Sequence, residues 1–326
     1  MSKPRFSILT PTWNRAHLLH NVFDSLNSQT YKNFEWIIAD DGSTDETPEV
    51  VEYFLESSKF SIVYLRSSSH VGKPRIDNAA LVHVSGDLVL WCDSDDTLTS
   101  DCLSILDANS DIFLSSNSTE YLFLSALVSN TIAPSISLDL RTCMDKPLTW
   151  NEFVSKFNIN SDLLLCFKSS ILCQNYFPEV DTYVPESVLW NQLGDIYYVS
   201  HIPQALLLKN YNSPHAVSFT FKMKYNRGYT YALISFLNSS CGANLSPLQL
   251  IFKLTNLIRY SIHGQLAFNF TFLMLSRSSH RYIFLLLVPF SILLAYFDKL
   301  RGIVIYTHND VLSESTPRIS VIKTYI

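Results

Sequence analysis

Four short apolar runs alternate with segments of helical periodicity over residues 6–92, and this alternation restricts the fold more than any other feature. The runs are Phe6–Leu9, Phe34–Ala39, Ser61–Leu65 and Leu88–Cys92. They are apolar at almost every position, which is typical of strands buried on both faces. The segments between them, residues 17–26, 44–55 and 74–84, have the spacing or the start signals of helices. The sequence therefore predicts an α/β fold with a mostly parallel sheet and helices on both faces.

Polar residues follow three of these runs where each strand ends. They are Thr10-Pro11-Thr12, Asp40-Asp41-Gly42-Ser43 and Asp93-Ser94-Asp95-Asp96. Open α/β sheets bind ligands at the carboxyl ends of their strands. Carboxylates as close as those of residues 93–96 repel one another unless a cation lies between them, and oxygen ligands suit Mg²⁺ or Mn²⁺ together with phosphate oxygens. Taken alone, these four residues are more often an acidic loop that caps the next helix; the rest of the N-terminal half favours a metal-diphosphate site.

The alternation weakens beyond residue 101, where we predict a change of role along the chain. Residues 110–145 are rich in Ser, Thr and Asn and are expected to shape a variable pocket, while the chain from Tyr229 onward is helical in pattern. We therefore divide the chain into residues 1–220, with two halves (1–109 and 110–220), and a helical C-terminal extension, 221–326.

The stretch Tyr282–Phe297 has no charged residue and is flanked by basic ones, Arg277, Arg281, Lys299 and Arg301. A helix of that length spans roughly 24 Å, less than the ~30 Å hydrocarbon core of a bilayer, and Pro289 is expected to bend it. Basic flanks suit a segment that lies in an anionic membrane surface. The alternative is a buried core helix or a homodimer interface.

Composition limits the partners and the compartment. The net charge is −5, and no Lys/Arg stripe is present, which argues against nucleic acid as a partner. The six cysteines are scattered without zinc spacing and fit a reducing compartment. Residues 1–5 lead into the first strand without the apolar core of a signal peptide, so we expect the catalytic part to be cytoplasmic, at the inner face of the membrane.

With these motifs in order, the chain resembles the family 2 glycosyltransferases, which have the GT-A fold. The resemblance runs from Phe6 to about Leu208 and continues more weakly into the helical tail. Its parts are Ser7-Ile8-Leu9-Thr10-Pro11-Thr12-Trp13-Asn14-Arg15, Ser28–Tyr31, Ile37–Asp45, Val71-Gly72-Lys73 with Asn78, Gly86-Asp87 and Asp93–Asp96. Each part alone is a weak signal, whereas all of them in sequence are a strong one.

The resemblance implies that residues 1–109 are the nucleotide-sugar half and residues 110–220 the acceptor half, and it implies a role for each motif at the donor site. The end of the first strand (Thr10, Pro11, Thr12 and Asn14) is expected to receive the nucleotide, Asp41 to hydrogen-bond its base, and Asp93 to reach the ribose. Asp95 is expected to ligate the metal ion, with Asp93 as a further ligand directly or through water, and Asp96 to support the loop. Lys73, with Arg75 nearby, lies near the diphosphate in related enzymes; the alternative is a solvated surface charge. Asp40 and Asp41 also suit a turn, and Asp45 a helix cap.

The resemblance also implies a general base. Family members have an acidic residue a few positions before an apolar pair that opens a helix, and Glu186 with Leu189 and Trp190 matches that place. Most relatives have Glu-Asp there, whereas this chain has Pro185-Glu186. The alternative is that Glu186 only caps a helix, and Asp181 is the second candidate for the base.

The sequence thus predicts a metal-dependent (Mn²⁺ or Mg²⁺), inverting glycosyltransferase that moves one sugar from a nucleotide-sugar, a UDP-sugar by preference. The acceptor is expected to be a saccharide or a lipid-linked saccharide for a bacterial surface polysaccharide. No Gln-x-x-Arg-Trp signature of processive synthases follows, which favours single transfer. A nucleotidyltransferase would need a Gly-rich phosphate loop near the N-terminus. The segment Thr10–Asn14 at that place contains no glycine, which argues against this alternative. The remaining alternative is a non-catalytic, membrane-tethered nucleotide-binding or scaffold protein.

Overall fold

The predicted α/β alternation is present in the computed structural model, which describes residues 3–111, 121–129, 147–159, 162–209, 225–301 and 319–325. The strands are β1 (Phe6–Thr12), β2 (Phe34–Asp40), β3 (Ser61–Ser67), β4 (Leu88–Trp91), β5 (Thr97–Leu98), β6 (Tyr121–Ser129), β7 (Leu148–Thr149), β8 (Leu164–Lys168), β9 (Tyr198–Leu208) and β10 (Ile319–Tyr325). The helices are α1 (Ala16–Asn27), α2 (Thr47–Ser57), α3 (Lys73–Val82), α4 (Cys102–Ala108), α5 (Trp150–Lys156), α6 (Ser169–Leu172), α7 (Ser187–Leu193), α8 (Asn226–Asn238), α9 (Ser240–Ala243), α10 (Pro247–His263), α11 (Phe268–Met274) and α12 (Ser278–Leu300).

The described strands form one mixed sheet in the order β10-β3-β2-β1-β4-β8-β6-β9-β5, with β7 beside β9. The pairs β3–β2, β2–β1 and β1–β4 are parallel, as predicted. Beyond β4 the sheet is mixed: β8 runs antiparallel to both β4 and β6, and β6 is parallel to β9. The first four strands are joined by helical crossovers, which parallel neighbours require. Strand order reverses at β1, so a crevice opens at the carboxyl ends of β1 and β4.

The chain forms two compact units. Unit 1 comprises Met1–Tyr176, Ile196–Pro214 and Pro317–Ile326, and unit 2 comprises Phe177–Asp195 and His215–Thr316. The segment with α7 therefore belongs to the helical unit, held there in part by the hydrogen bond from Ser235 Oγ to the Val188 carbonyl. The predicted division at residue 220 stays a prediction, and most of the predicted pocket segment, 110–145, lies outside the described residues.

The core of unit 1 packs helices α1 and α2 on the parallel strands. Phe23 stacks on Phe54 with ring centroids 4.2 Å apart, and both contact the fully buried Trp36 of β2. The Trp36 indole N–H donates to Thr10 Oγ1, so its polar atom is satisfied in the core. Burying each such side chain stabilises the fold by roughly 1.5–3 kcal/mol. These contacts hold the ends of β1 and β2 in place beneath the crevice.

In unit 2, α10 and α12 pack around a small core that includes Leu254, Leu257 and Phe284. Ser246 and Gln249 form a capping box at the start of α10. The Arg259 guanidinium donates to both carboxylate oxygens of Asp298, at 2.7–3.0 Å. This buried ion pair fixes the C-terminal end of α12 on α10.

Helix α12 is longer than the apolar segment 282–297 from which it was predicted. The helix has 23 residues and continues through Pro289, so it is about 34 Å long and could cross a bilayer by length. Its mean hydropathy over the most apolar window is 2.0, and 22% of that window is buried. The argument that the segment is too short to span is therefore wrong, because the helix extends past the charge-free stretch at both ends.

Candidate functional site

The acidic segment Asp93–Asp96 lies directly after β4 in unit 1, at the crevice. The Asp96 backbone N–H donates to the Asp93 carbonyl at 2.9 Å, which closes a tight turn. The Asp93 side chain is 42% exposed and that of Asp95 13% exposed, while Asp96 is buried. The turn thus presents Asp93 and Asp95 at the strand end and keeps Asp96 beneath them.

Three cations surround these carboxylates. Arg15 Nη1 lies 3.1 Å from Asp95 Oδ2, and Lys73 Nζ lies 3.6 Å from Asp93 Oδ1. Lys209 follows β9, whose register pairs Leu208 with Thr97 and so brings Lys209 close to Asp96. Burial lowers the pKa of Lys209, but the Asp162 carboxylate that it contacts, with Asp96 and Asp93, raises it above its ordinary value. Mutual repulsion of the acids is thereby balanced by protein cations.

These cations also control the ionisation of Asp93. Burial acts to raise the pKa of Asp93, but the charges of Lys73, Lys209 and Arg15 outweigh it and hold the pKa below the ordinary range. Asp93 therefore remains a carboxylate at neutral pH. Lys73 is held in place by Asp77 as well, at 3.1 Å, and is largely buried, so it is no solvated surface charge.

The donor chemistry of this segment fits a hard divalent cation that the nucleotide helps to bind. Within the described residues no three His, Cys, Asp or Glu side chains form a complete protein ligand set. Mg²⁺ and similar ions commonly use one or two carboxylates plus substrate phosphates. Asp95, with Asp93 beside it, could supply that share.

Asp41 organises the loop that faces the end of β1. Its carboxylate accepts hydrogen bonds from the Val71 and Gly72 backbone N–H groups at 2.6 and 2.9 Å, and His70 Nδ1 lies 2.8 Å from Asp41 Oδ2. Asp40 is fully buried and accepts from the Ser43 N–H and the Tyr64 hydroxyl. Both acids therefore serve the turn chemistry that was one of their two predicted roles. The expected contact of Asp41 with the base stays a prediction.

The predicted residues at the end of β1 fall into two groups. Thr10 Oγ1 donates to the Cys92 carbonyl, and Asn14 links two loops, since its amide oxygen accepts from the Thr44 N–H at 2.8 Å. Thr12 Oγ1, by contrast, is buried and has no hydrogen-bond partner among the described residues. Thr10 and Asn14 hold the crevice together, while Thr12 leaves a hydroxyl there that a ligand could satisfy.

Trp13, His70, Arg15 and Lys209 were not singled out from the sequence. Trp13 is 47% exposed and stacks on His70 with ring centroids 4.1 Å apart, which leaves a flat aromatic surface beside Asp41. Trp13 and Arg15 lie inside the motif on which the resemblance rests, so the sequence could have identified them as candidate site residues. Lys209 reaches the acids only through strand pairing and has no local signal.

In unit 2, Glu186 is the N-cap residue of α7, but its side chain makes no capping hydrogen bond. Its charge acts on Tyr229, whose pKa is raised to about 12 by burial first and then by Tyr260, Glu186 and Tyr225. Asp181 accepts hydrogen bonds from the Thr182 and Gly228 backbone N–H groups. Burial raises the pKa of Asp181. Asp181 thus supports the start of α8, whereas the carboxylate of Glu186 is not occupied by a cap.

Comparisons with known proteins agree with these features. The model of the family described as "Glycosyl transferase family 2" matches residues 7–107. A GalNAc(5)-diNAcBac-PP-undecaprenol beta-1,3-glucosyltransferase of Campylobacter jejuni is 34% identical over 103 residues, 32% of this chain and 33% of that protein. Abequosyltransferase RfbV of Salmonella typhimurium is 35% identical over 114 residues, 33% of this chain and 34% of that protein. The matches thus span about a third of each of these relatives.

The fold is similar to that of a solved structure over most of the chain. S. aureus TarS 1-349 in complex with UDP-GlcNAc superposes with a TM-score of 0.58 at 18% identity, covering 92% of this chain and 84% of that one. At this identity the likeness establishes the fold alone, and it confirms the predicted GT-A architecture.

Proposed function

We propose that this chain, whose residues 7–107 match the model of the glycosyl transferase family 2, moves one sugar from a nucleotide-sugar to an acceptor hydroxyl. The observation that carries the proposal is the acidic turn after β4, which lies at the crevice and is surrounded by Arg15, Lys73 and Lys209. Carboxylates for a divalent ion and cations for phosphate oxygens, side by side, match what a sugar diphosphate needs. A scaffold protein would have no need to keep this balanced set.

The donor is proposed to be a UDP-sugar. The aromatic surface of Trp13 and His70 offers a stacking partner for the base, and the adjacent Asp41 carboxylate can accept a hydrogen bond from a base N–H. Lys73 and Lys209 would stabilise the charge of the diphosphate, and Asp93 would hydrogen-bond the ribose. The UDP and UDP-GlcNAc complexes of TarS, which shares the fold, support the choice of UDP.

Asp95 is proposed to hold Mn²⁺ or Mg²⁺, with Asp93 as a further ligand directly or through water. When bound, such an ion stabilises the negative charge that develops on the nucleoside diphosphate as it leaves. The chain's own part is to keep Asp93 ionised through the three nearby cations and to fix the acids in the turn after β4. Inversion is proposed from the family resemblance, and single transfer from the missing Gln-x-x-Arg-Trp signature.

Glu186 is proposed to take the proton of the acceptor hydroxyl as that oxygen attacks the anomeric carbon. One observation within unit 2 disfavours the rival candidate Asp181. The Asp181 carboxylate is engaged by two backbone N–H groups at the start of α8. A half-buried tyrosine cluster, Tyr183, Tyr225, Tyr229 and Tyr260, with ring centroids 5.3–6.2 Å apart, lies on the same unit.

The acceptor is proposed to be a saccharide or lipid-linked saccharide at the cytoplasmic face of the membrane. One relative is named for an undecaprenol-linked acceptor, and TarS of Staphylococcus aureus is named for poly(ribitol-phosphate). The structure supports interfacial rather than spanning placement of α12. One face packs on α10 through Phe284 and Asp298, while an apolar stripe is exposed, with Tyr282, Leu286, Phe290, Leu293 and Phe297 all at 47% or more.

Two of the four basic residues that flank the apolar part of α12 are engaged in hydrogen bonds within unit 2. Arg277 donates to the carbonyls of Leu237 and Ser239, and Arg281 donates to those of Leu273 and Leu275. These guanidinium groups cap the carboxyl ends of α8 and α11. Apolar burial of the stripe is therefore expected to supply most of the binding.

Calorimetric titration of UDP with and without MnCl₂ tests the donor site. Wild-type protein should bind UDP more tightly with Mn²⁺, and Asp95→Asn should lose the metal-dependent part while the protein remains folded. Asp107→Asn is a matched control, because Asp107 pairs with Arg5 away from the crevice. Absence of UDP binding by the wild type, or an Asp95→Asn protein with undiminished Mn²⁺ dependence, would overturn the assignment. Release of UDP from UDP-sugars then separates an enzyme from a binding protein.

A further inference from the structure

Arg15 forms an ion pair with Asp95, the carboxylate that the proposed function assigns to the metal ion. Its Nη1 lies 3.1 Å from Asp95 Oδ2 and donates to Ser94 Oγ at 3.2 Å. The side chains of Arg15 and Asp95 are only 17% and 13% exposed, so solvent screens this pair weakly. Asp95 thus has a charged partner already, supplied by the protein.

The backbone that carries Arg15 is held on both sides. The preceding Asn14 has φ +52, and its amide oxygen accepts from the Thr44 N–H, while the following Ala16 N–H donates to Asp45 Oδ2 at 3.0 Å. The Cα of Arg15 therefore stays in place, and only the side chain can swing away from Asp95.

A divalent cation and a guanidinium compete for one carboxylate. Both are positive, and in a poorly solvated turn their mutual repulsion is large at the separation that one shared carboxylate imposes. Lys73 is different, because Asp77 holds it at 3.1 Å while its distance to Asp93 is 3.6 Å. Arg15 is consequently the cation that has to leave before Asp95 can accept a metal ion.

A nucleoside diphosphate offers the guanidinium a better partner. Phosphate oxygens match the planar fork of arginine and form charge-assisted, bidentate hydrogen bonds with it. We propose that Arg15 is an internal counter-cation of Asp95 that opposes divalent-metal binding until a nucleoside diphosphate takes over its guanidinium. Metal and nucleotide are therefore coupled, and each raises the affinity for the other by the same factor.

This inference rests on the proposed donor site, and binding of Mn²⁺ alone tests it without any turnover. Free Mn²⁺ is measured by electron paramagnetic resonance in the absence of nucleotide and again with saturating UDP. Wild-type protein should bind Mn²⁺ weakly alone and at least about tenfold more tightly with UDP. Arg15→Gln should bind Mn²⁺ alone at least about tenfold more tightly than wild type, with a smaller gain from UDP.

Two further variants control for charge and for folding. Arg15→Lys keeps the positive charge and should bind Mn²⁺ alone as weakly as wild type. Arg5→Gln removes an arginine of similar exposure, 22%, which pairs with Asp107 instead, and it should leave Mn²⁺ affinity unchanged. Equal affinity of Arg15→Gln and wild type for Mn²⁺ alone, with UDP coupling intact, would overturn the counter-cation role but not the donor site. If the wild-type protein shows no UDP-dependent Mn²⁺ binding at all, the proposed function is overturned instead.

Discussion

Replacing Gly42 by alanine tests how the loop after β2 supports the donor site. Gly42 has φ +73, and a Cβ added there would lie 2.4 Å from the Ser69 carbonyl carbon and 2.8 Å from the His70 nitrogen. Both are backbone atoms, so the loop that carries residues 69–72 has to move by about 1 Å to restore ordinary contact. That shift pulls the Val71 and Gly72 N–H groups away from the Asp41 carboxylate, which they now meet at 2.6 and 2.9 Å.

The magnitude follows from these contacts. A non-glycine residue in the left-handed region costs about 1–2 kcal/mol, and each weakened hydrogen bond to a charged group costs up to about 1.5–3 kcal/mol. Partial relaxation of the exposed loop reduces the sum of these two costs. Gly42→Ala should therefore lower the free energy of unfolding by about 2–4 kcal/mol. UDP affinity should fall by about tenfold or more, because the Trp13–His70 surface moves with the loop.

Urea denaturation and calorimetric UDP titration measure the two effects. Gly264→Ala is the matched control: Gly264 has φ −76, and its nearest contacts to an added Cβ are 3.1 Å, so its stability should change by about 1 kcal/mol or less. A Gly42→Ala protein with wild-type stability and UDP affinity would refute the link between this loop and the site.

Three other outcomes are expected. Glu186→Gln should leave UDP affinity unchanged and reduce turnover by roughly 10²–10⁴; near-normal turnover would contradict the base assignment. Because burial raises the pKa of Asp181 above 3.8, the folded chain keeps this proton to higher pH than the unfolded chain. Its stabilising contribution is full below about pH 4 and lost as the pH rises through the folded pKa, so Asp181→Asn should flatten the fall in unfolding free energy above about pH 4. Leu286→Glu with Phe290→Glu should abolish co-sedimentation with phosphatidylglycerol-containing vesicles, whereas Tyr53→Glu, an exposed site on α2, should not.

Sequence reasoning located the acidic turn and the loop after β2 because each directly follows a strongly apolar strand. It could not tell ligand-binding polar residues from those that hold the loops together. Thr10 and Asn14 match the family motif as well as Thr12 does, yet their side chains bond to Cys92 and to Thr44. The identity of a hydrogen-bond partner depends on the neighbouring loop, which the local pattern does not contain.

The apolar segment near the C-terminus shows the same limit in another form. A charge-free run of sixteen residues predicted the core of α12 but not its ends, because the helix continues through the charged and polar segments Ser278–Arg281 and Asp298–Leu300. The charged Asp298 at its end is buried against Arg259 rather than solvated. Hydropathy therefore underestimated the helix length, since it counts a paired carboxylate as a polar boundary.

The order of apolar runs and polar strand ends determined the α/β class, the parallel character of the first four strands and the sheet edge that we propose for the ligand. These follow from the sequence because strand burial and crossover direction are set by local periodicity and by chirality. Tertiary structure alone decided which charges meet there. Arg15 reaches Asp95 from a loop pinned to a different strand, and Lys209 reaches the acids through the antiparallel pairing of β5 with β9. Such contacts join residues far apart in the chain, and their energies depend on distances that only the folded backbone defines.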